Sequence, residues 1–342
     1  MTAALRTMAA GLRTATPSPD VFAAVMATGV LSIGARQHGY RLLSEALGVL
    51  ASVGLAVLVL AVAAAMLRQR RAGLWDLSDP DVALGLFTFV AACAVLDSRL
   101  EHHRIWVQVL GLVALVAWAT LAVLTVRDMA AHRWAQLRDR AHGAWLLASV
   151  GTSGLAIVIA QMVRFTGQHR WLVVAVPVWL IALAVYLLMV WLILWRAAHE
   201  RPIRDGFEPD TWILMGGLAI ATLAGDHLGA LVPAALTGTV QGITLATWVG
   251  ATLWIPPLIY FMLHRIHQRP AMLQFHGVWW ALVFPLGMYA VASFATAEHL
   301  GRPALQTVSL VFFWDALAAW AIVVVAGLRR AFTRGGRPAR AG

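Results

Sequence analysis

The chain has 342 residues, of which 61% are hydrophobic and 12% charged, and its formal net charge of +10 comes from arginine with no lysine at all. That balance is far too apolar for a soluble domain of this length, and the arginines fall in short segments between apolar runs, which excludes a nucleic-acid-binding face. A single cysteine, Cys93, excludes an intrachain disulfide.

Residues 1–19 are too polar for the apolar part of a signal peptide, so the first span is expected to act as its own insertion signal. A helix needs about 20 mostly apolar residues to cross a bilayer. Runs of this kind fall near 20–36, 44–67, 80–97, 105–126, 142–163, 171–195, 210–227, 237–263, 277–297 and 304–328. The pattern predicts an all-α integral membrane protein of ten spans. Residues 1–19 form an N-terminal segment, 20–328 one transport domain, and 329–342 a basic tail. The N-terminus, the even-to-odd loops and the tail carry 19 arginines against 7 in the odd-to-even loops. Both termini are therefore expected in the cytoplasm, in a multi-pass protein of a bacterial inner membrane.

Odd-numbered spans open alike. "SPDVF" (Ser18 to Phe22), "DPDVA" (Asp79 to Ala83) and "EPDTW" (Glu208 to Trp212) start the first, third and seventh, whereas "HGAW" (His142 to Trp145) and "HGVW" (His276 to Trp279) start the fifth and ninth. Proline costs no hydrogen bond in a first turn, and a carboxylate there meets the positive end of the helix dipole. Five helical-hairpin repeats follow. The odd spans also carry small residues or breakers midway: Thr28 and Gly29, Gly85, Gly151 to Gly154, Gly216 and Gly217, and Pro285 with Gly287. Even spans are longer and richer in Leu, Val and Ala. Interrupted helices at membrane depth belong where they pack closely or line a cavity, so the odd spans are expected inside and the even spans outside.

Few charges lie at membrane depth. Backbone N–H groups and the hydroxyls of Thr28, Thr152 and Ser153 would hold an anion weakly enough to let it leave, while Arg36, Arg99, Arg164 and Arg302 would attract it at the outer mouths. Rings of carboxylates, expected of a cation channel, are missing from the sequence. Asp315 is the exception, a carboxyl near the centre of the tenth span and a candidate for proton coupling or for pairing with another helix or subunit. Asp226 and Gln161 stand nearer helix ends. No histidine sits opposite another as haem would need, and there is no nucleotide-binding P-loop. Neither a cofactor nor a metal is expected; a membrane enzyme built on Glu101, His102 and His103 is the minor alternative.

"SPDVFAAVMATGVLSIG" in the first span, "LFTFVAACAVL" in the third and "VWWALVFPLGMYAVAS" in the ninth resemble the tellurite-resistance/dicarboxylate transporter family, which includes bacterial tellurite-resistance proteins, fungal malate permeases and the plant slow anion channels. The likeness spans nearly the whole chain. It implies odd helices around a central pore, even helices outside, and a homotrimer in which each subunit has its own pore. It also implies a gate at Phe284, aimed across the path by the kink at Pro285, and places Phe22 and Phe89 along the path with Gly29, Gly151, Gly216 and Gly217. A C4-dicarboxylate such as malate, or a tellurite-type oxyanion, is the implied substrate. A proton-coupled carrier and a passive anion channel both remain open, because one fold can host both. Small-residue faces of outer helices would pack together in the trimer, and outer-helix glycines such as Gly54 and Gly250 do not identify which face.

Overall fold

The computed structural model describes residues 18–69, 75–100, 103–199, 209–268 and 279–335. Glu208, His276 and Gly277 of the helix-start motifs, Glu101 and His102, most of the N-terminal segment and the end of the tail lie outside the described residues. The helices in chain order are α1 (Ala23–Gln37), α2 (Arg41–Gln69), α3 (Pro80–Gly85), α4 (Phe87–Arg99), α5 (Arg104–Ala131), α6 (Trp134–Arg140), α7 (Leu147–Thr166), α8 (Leu172–His199), α9 (Ile213–Gly229), α10 (Ala234–Gln268), α11 (Trp280–Leu300) and α12 (Pro303–Gly335). No strand occurs among the described residues. Local signals set several ends. Asp79 caps α3 by accepting from the Asp81 N–H, with Pro80 in the first turn, while Gly167 and Gly301 end α7 and α11 in the left-handed region at φ 68° and 60°.

Nine helical segments among the described residues are long and apolar enough to cross a membrane. The tenth expected span, α1, has 15 helical residues, about 22 Å of helix and short of the hydrocarbon thickness. It tolerates this because eleven of those residues are buried in protein rather than facing lipid.

The five odd spans close on themselves. α1 packs on α4, α4 on α7, α7 on α9, α9 on α11, and α11 back on α1, and each is covered outside by the even helix that follows it. Burial follows this order: between 72% and 94% of the most apolar stretch is buried in the third, fifth, seventh and ninth spans, against 11% to 33% in the five even ones. The expected sorting into inner odd and outer even helices is thus present.

The expected mid-span interruptions are mostly not. Only the third span is broken, at Leu86 directly after Gly85, whereas α1, α7, α9 and α11 run unbroken through Gly29, "GTSG", Gly216-Gly217 and Pro285. A glycine weakens a helix by only about 1 kcal/mol, and a close neighbour offsets that. Pro285 frees the carbonyl of Ala281 without ending α11. The glycines act instead as notches. Gly151 receives the Phe87 ring and Gly216 receives Pro285: a Cβ on Gly216 would stand 2.9 Å from Pro285 Cγ and 3.1 Å from its Cα. Gly216→Ala is expected to lower stability by about 1–3 kcal/mol because backbone must move. Gly238→Ala, with nothing within 4 Å of the new methyl, should not. Thermal unfolding of the two variants in detergent checks this.

A second tie binds the two layers. Trp118 of α5 donates to Thr152 Oγ1 of α7 at 2.9 Å, Trp179 of α8 to the Ala221 carbonyl of α9 at 2.9 Å, Trp248 of α10 to Ser293 Oγ of α11 at 3.0 Å, and Trp320 of α12 to Thr28 Oγ1 of α1 at 2.9 Å. Each outer helix thereby grips the inner helix of the next hairpin. α2 is the exception, having no tryptophan in its sequence.

Candidate functional site

α11 carries the aromatic that the sequence singles out. Phe284 is fully buried, with 0% of its surface exposed, and Pro285 after it is wedged against Gly216 of the neighbouring inner helix. Because Gly216 has no Cβ opposite the Pro285 ring, α9 and α11 approach closely at this level. Phe284 thus precedes a close contact between two inner helices.

The other expected path residues separate into two groups. Phe22 and Phe89 meet edge to face at 4.9 Å between ring centroids, joining α1 to α4 near the leading end, where the odd spans begin. Ser153 is buried, and its hydroxyl has no hydrogen-bond partner among the described residues. Thr28 and Thr152, in contrast, donate to the Ala24 and Ala148 carbonyls of their own helices and accept from Trp320 and Trp118. Both hydroxyls are thus engaged with their own helix and with an indole of an outer helix. Gly29 faces Val95 and Ala51, and Gly217 faces Tyr186 of α8, whose hydroxyl donates to the Leu214 carbonyl and accepts from Trp254. These two glycines serve packing between helices.

Asp315 is exposed on α12 and makes no hydrogen bond or ion pair among the described residues. The carboxyl that sequence reading passed over is Asp97. It lies on the inner helix α4 with 0% exposure, and neither oxygen has a hydrogen-bond partner among the described residues. Its place at the end of an apolar run gave it the appearance of a boundary residue. Gln161 is buried on α7, and Asp226 lines a cavity of about 360 Å³ with Gln241, Thr244 and His299.

At the leading end the helix-start motifs meet. His142 Nδ1 lies 2.9 Å from Asp210 Oδ2 and its Nε2 3.4 Å from Asp81 Oδ1, so one imidazole joins the starts of the third, fifth and seventh spans. The Trp145 indole donates to Asp81 Oδ1 at 2.6 Å, the Ala144 N–H to Asp210 Oδ2 at 2.9 Å, and Arg140 to Asp79 and Asp81 at 3.1 and 3.3 Å. Read as helix-start chemistry alone, these residues carry a further role as a charged clasp. The available signal was complementarity, two acids and one histidine at one register.

At the trailing end, Arg99 and Arg36 line a common cavity with Arg41, whereas Arg164 and Arg302 are exposed elsewhere. His103, described without Glu101 and His102, lines that same cavity.

The family model of the voltage-dependent anion channels (SLAC1) matches residues 17–328. The chain belongs to this family. Members of the SLAC1 family transport anions, and this chain is a multi-pass membrane protein of that kind. It is 34% identical over 146 residues to an uncharacterized membrane protein of Mycobacterium tuberculosis, covering 41% of this chain and 73% of the relative. An uncharacterized transporter of Methanocaldococcus jannaschii is 21% identical over 331 residues, 92% of this chain and 93% of the relative. The SLAC1 match runs from just before the first helix to within the last, so the ring and its outer cover are both within it.

Proposed function

We propose that the chain is a secondary transporter of small anions, of the C4-dicarboxylate or tellurite-oxyanion type, with its path along the axis of the inner ring and Phe284 as the gate. The observation that carries this reading is the closed ring of inner helices with a fully buried phenylalanine directly before Pro285, the residue that meets Gly216 of α9. An apolar ring of side chains held at a constriction excludes water and ions until it moves. Phe22, Phe89 and Ser153 belong to the same path, Ser153 as a donor without an acceptor in the closed state. Proton coupling, where present, falls to Asp97 rather than Asp315, because an orphaned carboxyl within the inner helices is costly to ionise and marks a functional position by default. Asp315, on the lipid side, suits a contact with another subunit of a homotrimer.

A passive anion channel gated by Phe284 is the second reading, favoured by the family description. Proteoliposome measurements separate the two. A carrier takes up labelled malate or tellurite with saturation, at a rate that follows an imposed pH gradient, and Asp97→Asn removes that dependence while leaving anion exchange. A channel passes anion current that neither saturates at carrier rates nor responds to the pH gradient. Absence of any anion flux from the purified chain overturns both.

A further inference from the structure

The indole found at four junctions between outer and inner helices is missing where α2 meets the third span, and a cavity of about 820 Å³ opens there at the trailing end. Its floor is well built. Ser32 and Ser44 each donate to the other's carbonyl at 2.8 Å, fixing α1 against α2. Gly48 leaves the notch in which the Arg99 side chain lies: a Cβ there would stand 2.9 Å from Arg99 Nε. That Nε donates to Ser32 Oγ at 2.7 Å and Nη2 meets Glu45 Oε1 at 2.7 Å, so the Arg99 side chain is only 10% exposed.

The charges around it are unequal. Arg36, Arg41, Arg99 and His103 line the cavity against one described carboxylate, Glu45. The Arg41 guanidinium makes no ion pair or hydrogen bond among the described residues, and α2 has no acidic residue in its first turn to meet the positive end of its dipole. Lower down the groove turns apolar along Val49 and Val53, which are 61% and 54% exposed on the lipid side of α2. Cationic at the rim, apolar below and open sideways, the groove matches a molecule with an anionic head and an acyl chain.

We propose that this groove holds one anionic phospholipid, its phosphate between Arg41 and Arg99 and its chain along Val49 and Val53. A soluble oxyanion shares the chemistry of the head but gains nothing from the valines, and this difference separates the two sources.

The test is thermal unfolding of the full purified chain in detergent with added phosphatidylglycerol, phosphatidylcholine of the same acyl chains, or inorganic phosphate. Phosphatidylglycerol is expected to raise the midpoint by roughly 3 °C or more, as binding to the folded state alone does, and phosphatidylcholine is not. Arg41→Gln, at an exposed side chain unpaired among the described residues, should keep its own midpoint and lose most of that rise. Val53→Trp, which fills the lower groove with an indole and leaves every arginine in place, should lose it too. Equal rises from both lipids, or a phosphatidylglycerol rise retained in both variants, overturns the proposal. A rise from inorganic phosphate alone that Arg41→Gln abolishes assigns the cavity to a soluble anion and overturns the lipid.

Discussion

Phe284→Ala is expected to raise anion flux in proteoliposomes by at least about tenfold, the change produced by lowering a barrier by about 1.4 kcal/mol. The ring is fully buried, so nothing else fills its volume when it is removed, and the space left at the constriction admits water. Truncating a buried phenylalanine also costs about 3–5 kcal/mol of stability, so flux is compared only for protein that elutes as a single species. Phe284→Leu serves as a companion, since it keeps an apolar plug and should leave flux near native. A tenfold rise in Ala and none in Leu identifies a steric gate; unchanged flux in both makes Phe284 a packing residue and removes the axis as the path. Whether the raised flux still follows a pH gradient then distinguishes a leaking carrier from an opened channel.

His142→Gln is expected to lower stability by about 1–3 kcal/mol near neutral pH, because Asp210, with its side chain 7% exposed, loses its charged partner and keeps only the Ala144 N–H. Burial by itself would lower the pKa of His142. The hydrogen bonds it donates to Asp210 and Asp81, and their charges, outweigh it and raise the value from 6.5 to about 9. Asp81, Asp210 and Trp145 touch the ring directly, Arg140 shares Asp81, and Arg196 of α8 donates to the adjacent Ala141 carbonyl. A folded-state pKa above the unfolded one means that the stabilisation is fully present below about 6.5 and is lost as pH rises through about 9. The gap in unfolding midpoint between native and His142→Gln should therefore be widest at pH 6 and narrow towards pH 10. A gap that stays constant over that range would mean the imidazole is neutral in the folded protein and the clasp rests on neutral hydrogen bonds.

The layered architecture was legible from composition alone. The small residues and the Pro-Asp and His-Gly openings mark the odd spans, and long Leu, Val and Ala runs mark the even ones, because a helix that faces lipid needs continuous apolar surface while a helix buried on all sides needs room for its neighbours. Direction around each helix was not legible. Thr28 and Thr152 read as free donors because their sequence neighbours are glycines, yet each meets an indole more than 30 residues away along the chain or nearly 300. Asp315 announced itself by interrupting an apolar run, and Asp97, at the end of one, did not; burial depends on which helices lie alongside, and only the ring closure settles that. The glycines misled for a related reason, since a missing Cβ marks close approach as readily as a break.

The closed ring also bears on how the protein is made. Among the described helices α1 leaves the ribosome first, but the neighbours that cover its far side, α11 and α12, leave last. At 5–20 residues per second, Trp280 follows Gln37 by about 240 residues, or roughly 12–50 s. Through that interval the shortest span waits in the membrane with one flank uncovered and the Thr28 hydroxyl without the Trp320 indole. Biogenesis therefore has an obligatory late step, docking of the final hairpin onto the initial one, and nascent chains ending before Trp320 should be the species that insertases and quality-control proteases hold longest.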